Sequence, residues 1–175
     1  RIRAWENVPA LSYVFLRGRC GQCRAPISLR YPLVEIATAI LSVVVALQFG
    51  ANWLTLAALL LTWSLIALTM IDIDHQLLPD SITLPLLWLG LIVNSQGLLV
   101  PLGDALWGAV FGYLALWSVY WAFKLLTGKE GMGYGDFKLL AAIGAWLGWQ
   151  ALPMVIILSS LVGAVIGIAM ILLLG

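Results

Sequence analysis

Polar and apolar positions along the chain segregate into long blocks. Residues 1 to 32 are an extended polar segment, and after them apolar runs follow one another at about 33 to 49, 53 to 71, 82 to 97, 103 to 126, 137 to 151 and 153 to 174. A helix needs about 20 apolar residues to cross a hydrocarbon core, with some latitude. The third and fifth runs are short, which predicts helices that stop inside a protein-lined cavity, because peptide groups exposed to lipid go unsatisfied. The pattern therefore predicts an all-α polytopic membrane helix bundle of about six transmembrane segments, with a small N-terminal extramembrane unit over 1–32 and a core over 33–175.

Composition agrees: 63% of residues are hydrophobic and 10% charged, against roughly 25% charged in an ordinary soluble domain. The net charge of +1, with no basic stripe interleaved with aromatics, points away from nucleic acid. The start at Arg1 shows no basic-then-apolar leader, and the end at Gly175 falls within an apolar run; both ends read as cut short. The placement of charge says more than its sum. Six of the nine Lys and Arg lie in residues 1 to 32: Arg1, Arg3, Arg17, Arg19, Arg24 and Arg30. If the segments alternate in direction, the connections 72 to 81 and 127 to 136 share a side with them, and Lys124, Lys129 and Lys138 flank the second. The connections around 50 to 52, 94 to 102 and 149 to 152 carry no Lys or Arg. By the positive-inside rule the charged side is cytoplasmic. Trp53, Trp88, Trp107, Trp117, Trp121, Trp146 and Trp149 read as interfacial or packing residues.

Two carboxylates stand out against this background. Asp72, in Ile71-Asp72-Ile73-Asp74-His75, closes the second apolar run, and Asp136, in Gly131-Met132-Gly133-Tyr134-Gly135-Asp136, opens the fifth. Both sit at the cytoplasmic boundary, where an ionisable group in a membrane segment marks a functional site unless it is paired or solvated. Two carboxylates that approach closely share a proton, and such a pair activates a water while protonating a departing amine. For Asp136 the simpler reading is a helix N-cap. Asp72 faces the unfavourable end of a helix dipole, so the dipoles predict that Asp72 holds the shared proton and Asp136 is the more acidic. Asp80 and Asp104 read as N-caps, Asp74 and His75 as solvated loop residues. Glu35, shortly after Pro32, reads either as a first-turn acid or as a group lining the same cavity as the aspartates. The glycines at 128, 131, 133 and 135 suit either a turn with positive φ or a connection that admits an extended peptide backbone.

Cys20-Gly21-Gln22-Cys23 holds both cysteines of the chain. A lone C-x-x-C is half of a tetrahedral zinc site, so the reading is either a second ligand pair ahead of Arg1 or two ordinary thiols. No βαβ context supports a redox role.

The ordered set NVPALSYVFLRGRCGQCRAPISLRYPLVE, IDIDHQLLPDSITLP and GMGYGDFKLLAAIGAWLGW resembles the bacterial type IV prepilin peptidases, bifunctional leader peptidases and N-methyltransferases of type IV pilus and type II secretion systems. The similarity extends from about Asn7 through Gly148. It implies an inner-membrane aspartic endopeptidase that cleaves the basic leader from prepilins and pseudopilins after a glycine on the cytoplasmic side. It further implies methylation of the new N-terminal residue with S-adenosylmethionine. Carried over, the catalytic aspartates are Asp72 and Asp136, with Gly133, Tyr134 and Gly135 as the active-site motif. Members usually have two C-x-x-C pairs associated with zinc, of which Cys20 and Cys23 match one. Gly18 and Arg19 fall in the methylation-linked region; with Glu35 they are the candidates for the methyl-donor site. The basic leader is expected near Asp74, Asp80 and Glu130. The competing readings are another GxGD membrane protease, such as a preflagellin peptidase, and a proton-coupled transporter, which would show internal repeats and midplane acids.

Overall fold

The computed structural model describes Val8 and residues 10–174. Among the described residues, seven α-helices follow in order: α1 (Leu11–Phe15), α2 (Arg30–Phe49), α3 (Trp53–His75), α4 (Asp80–Ser95), α5 (Leu102–Thr127), α6 (Tyr134–Leu147) and α7 (Leu152–Leu174), with a 3-10 turn at Trp149–Ala151. Among the described residues there is no strand, only one isolated bridge between Arg19 and Pro26. Four helices, α2, α3, α5 and α7, are long and apolar enough to cross a membrane. The fold is all-α and polytopic, as the apolar runs predict. The third and fifth runs are indeed the short ones: α4 has 16 residues and α6 has 14, which at 1.5 Å per residue span only about 24 and 21 Å.

The chain divides into two compact units, Arg1–Ile66 and Ala67–Gly175. In the first, a short hairpin follows α1. The Cys20 N–H donates to the Ala25 carbonyl at 2.9 Å and the Ile27 N–H to the Gly18 carbonyl at 2.8 Å. Gly18, at φ 70°, lies so close to the Tyr13 ring that a Cβ would come within 2.9 Å of its hydroxyl. The helices α2 and α3 are joined through Gly50-Ala51-Asn52. Asn52 caps α3 by accepting the Thr55 N–H at 2.9 Å, and Trp63 Nε1–H donates to Ser42 Oγ at 2.9 Å.

In the second unit α6 is the core element, packed against α4 and α5. Phe137, Leu140, Ala141, Ala142, Gly144, Ala145 and Trp146 are all buried. Small residues make this possible, since α5 and α6 approach to backbone contact. A Cβ on Gly112 would stand 2.6 Å from the Leu140 carbonyl oxygen, and Gly108 and Gly144 each face the other's backbone. Gly108 and Gly112 form a G-x-x-x-G pair, the spacing that lets membrane helices pack closely. Trp146 is fully buried and belongs to the core, not to an interfacial belt. Its Nε1–H donates to the Leu86 carbonyl at 2.8 Å, and Gly90 leaves room for its ring.

A helix this short needs its terminal carbonyls satisfied where it stops. Asn94, buried near the end of α4, supplies the donors: its Nδ2 reaches the carbonyls of Ala145 at 2.8 Å and Trp146 at 3.0 Å. Its Oδ1 accepts the N–H groups of Leu99 at 3.2 Å and Val100 at 3.1 Å. One side chain thus closes α6 and the α4–α5 connection together.

Candidate active site

The helix α3 continues past the expected boundary to His75, which leaves Asp72 inside its last turn instead of at its end. Termination comes at Gln76, whose φ of 49° turns the chain out of the helix while its N–H donates to the Asp72 carbonyl at 2.8 Å. On the other side of the site the N-cap of α6 is Gly133, in extended conformation. Asp136 is therefore not a cap but the third residue of the helix. A backbone hydrogen bond from Gly133 to its carboxyl is the reach-back that an acid at this position makes to an N-cap.

The glycines act through close approach. Gly131, Gly133 and Gly135 are absent from the positive-φ residues, whereas Gly128 adopts φ 70° as the left-handed cap of α5. A Cβ on Gly131 would come within 2.8 Å of the Phe123 ring, and one on Gly135 within 2.7 Å of Leu78 Cβ. Gly135 thus lets the first turn of α6 settle against the connection that follows Asp72.

The result is an open cleft of about 990 Å³ lined by both aspartates, by Gln76 to Asp80, by Glu130 to Gly135 and by Lys138. Asp72 is exposed and Asp136 partly covered. Asp136 stands in the first turn of α6, ahead of its apolar stretch and outside the four spanning helices. Desolvation, reinforced by the charge of Asp72, holds its carboxyl above the ordinary value despite the Gly133 N–H. Loss of solvent and the Asp72 charge thus work against the acidic Asp136 expected from the helix dipole alone, and they outweigh the Gly133 hydrogen bond.

The remaining acids are engaged differently from their expected roles. Asp80 is the first residue of α4, whose N-cap is Pro79, and both its oxygens accept from Lys138 Nζ at 2.7 Å. Glu130 accepts from Lys124 Nζ at 2.8 Å. Asp80 and Glu130, both expected to meet a basic leader, are thus already paired. Asp104 is not a cap either: the N-cap of α5 is Pro101, and Asp104 accepts the Trp149 Nε1–H at 3.1 Å. Glu35 lines a cavity of about 230 Å³ within the first unit, with Ser12, Tyr13 and Tyr31. Its Oε2 accepts the Ala10 N–H at 2.7 Å. Arg19 and Cys20 line another cavity of about 490 Å³, with Arg17 and Arg24.

Cys20 and Cys23 are not joined by a disulfide. Among the described residues no group of three His, Cys, Asp or Glu side chains could hold a metal ion. Two thiols do not complete a tetrahedral site, so the residues present do not fit zinc by themselves.

Comparison with known proteins decides the family. The Type IV leader peptidase family matches residues 59–168, which contain both aspartates and all of the cleft. The chain belongs to this family. The Bacterial Peptidase A24 N-terminal domain matches residues 1–49, covering the hairpin and Glu35. A prepilin leader peptidase/N-methyltransferase of Aeromonas salmonicida is 70% identical over 172 residues, which is 98% of this chain and 59% of the relative. The protein of that name from Stutzerimonas stutzeri is 68% identical over 170 residues, 97% of this chain and 59% of the relative. The one from Neisseria gonorrhoeae is 58% identical over 169 residues, again 97% and 59%. The chain thus spans about 59% of the length of these curated relatives. No solved structure matches it. Family membership and the four spanning helices together make the chain a multi-pass membrane protein.

Proposed function

We propose that the chain carries the aspartic endopeptidase that removes the basic leader of type IV prepilins and pseudopilins, after a glycine, at the cytoplasmic face of the inner membrane. The observation that carries this reading is the convergence of Asp72 and Asp136, 64 positions apart in sequence, on one open cleft. The two carboxyls share one proton, so that one member is a base while the other is an acid. As water attacks the scissile carbonyl carbon, the ionised member of the Asp72–Asp136 pair takes its proton while the protonated member hydrogen-bonds the carbonyl oxygen. Collapse of the tetrahedral adduct breaks the C–N bond, and a proton from the pair goes to the departing amine. No side chain becomes acylated. Prepilin cleavage by the chain in lipid should disappear in both Asp72→Asn and Asp136→Asn while each variant remains folded. Cleavage surviving either substitution overturns the dyad.

The same polypeptide, as we read it, methylates the new N-terminal residue. S-adenosylmethionine would supply an electrophilic methyl group on a sulfonium cation. The Glu35 carboxylate with the rings of Tyr13 and Tyr31 fits a cation, while Arg19 and Gly18 belong to the adjoining hairpin, Arg19 lining a cavity that shares Leu16 with this one. Glu35→Gln should weaken binding of the donor, measured calorimetrically, and leave leader cleavage intact. Unchanged donor affinity would remove Glu35 from the site. Residues 1–32 are taken here as a cytoplasmic unit and 33–175 as the peptidase core.

A further inference from the structure

The turn from Gly128 to Gly133 contains glycines at 128, 131 and 133, a composition that leaves the backbone many conformations. Where that turn delivers α6 decides where Asp136 sits. The last turns of α5 hold it at two points. Lys124 Nζ donates to Glu130 Oε1 at 2.8 Å and to Tyr120 Oη at 3.2 Å. The Tyr134 hydroxyl donates to the same Tyr120 oxygen at 3.2 Å. Tyr120 is itself 2% exposed and packed edge-on against Phe137 and Trp121, so it is a fixed reference point. The Lys124 ammonium lies 5.4 Å from the Tyr120 ring centroid and 5.5 Å from that of Trp121, close enough for both rings to attract it.

Glu130 lies within the turn and Tyr134 at the first position of α6, so these contacts bracket the segment that carries Gly131 and Gly133. We propose that Lys124, acting through Glu130 and through the Tyr120 hydroxyl to Tyr134, is a positioning residue that clamps both ends of the glycine-rich turn and sets the placement of Asp136 relative to Asp72. This rests on Asp136 belonging to the catalytic pair. The role requires a cation: the ammonium supplies donors to an anionic and a phenolic oxygen at once, which a neutral side chain of the same length does not.

Two readouts separate the clamp from the dyad. In lipid vesicles, Lys124→Met should lower kcat for prepilin cleavage by roughly ten- to hundred-fold, the scale of a displaced catalytic group, with KM nearly unchanged. Lys124→Arg should restore most of the rate, and Glu130→Gln should reduce it. Independently of activity, a chain carrying Asp72→Cys and Asp136→Cys, with Cys20 and Cys23 replaced by serine, is treated with a short bifunctional thiol reagent. Cross-linking should fall when Lys124→Met or Glu130→Gln is added and persist with Lys124→Arg. Unchanged cross-linking in both Lys124→Met and Glu130→Gln overturns the clamp whatever happens to the rate. Reduced cross-linking beside a parental cleavage rate upholds the clamp and removes Asp136 from the dyad. Should Lys124→Met fail to fold, the solvent-facing Glu130→Gln decides alone.

Discussion

At Asp136 two opposing influences meet. The amino end of α6 and the Gly133 N–H favour the carboxylate, while loss of solvent and the nearby Asp72 favour the neutral acid, and the latter prevail. The folded-state pKa therefore lies above the ordinary 3.8. A raised acid contributes stability that is fully present below its unfolded pKa and lost as pH rises through the folded value. Asp136→Asn should accordingly melt at or above the temperature of the parent near neutral pH, with the difference closing toward pH about 4 as the parent carboxyl takes up its proton. A variant less stable than the parent by the same margin at every pH would show that the site stores no such cost. At Glu130 the balance runs the other way: hydrogen bonds from Lys124 and Tyr120 hold its carboxyl below the usual range.

Between elements, the decisive contact is the backbone approach of α5 and α6. It explains why α6 can be so short and yet so well buried: alanine and glycine let two neighbouring helices close over it, and Asn94 satisfies its last carbonyls. Gly108→Ala should destabilise the folded chain by about 1–3 kcal/mol, the usual cost of overpacking. Gly163→Ala, on α7 where a Cβ meets nothing within 4 Å, should leave stability unchanged or slightly raised. Thermal unfolding in one detergent compares the two. Equal effects would mean that the α5–α6 approach is not sterically limited. The Asp80–Lys138 pair, at 2.7 Å, ties the first turn of α4 to the second turn of α6 beside the cleft. It is half-exposed, and such pairs contribute little stability, so its value lies in alignment.

For the whole molecule, the proposed orientation rests on the distribution of Lys and Arg. A cysteine placed at Met132 in the α5–α6 turn should react with an impermeant maleimide only in inverted membrane vesicles, with the native cysteines replaced by serine. One at Gln96, in the α4–α5 connection, should react only in right-side-out vesicles. The reverse pattern would place the aspartate cleft on the far side and remove the cytoplasmic assignment.

Periodicity, length and charge placement sufficed for the all-helical polytopic class, for the six apolar elements and for the shortness of α4 and α6, because a bilayer imposes length and polarity directly on local sequence. Asp72 and Asp136 were legible as candidates for the same reason: acids are costly at a membrane boundary. The exact reach of α3, the placement of Asp80, Asp104 and Asp136 inside their helices and not at the N-caps, and the engagement of Glu130 and Asp80 were not, since a helix end and an ion pair depend on which groups another segment brings near. Lys124 was legible only as a charge marking a side of the membrane; its link to Glu130 and Tyr120 was not, although Lys124 and Glu130 are only six positions apart. The G-x-x-x-G of Gly108 and Gly112, and an asparagine within the apolar α4, were visible signals of close packing and of a buried hydrogen-bond hub. Only tertiary structure decided the balance at Asp136: helix position predicts an acidic carboxyl, but burial and a like charge are supplied by residues distant in sequence, and in the cleft they outweigh the local Gly133 hydrogen bond.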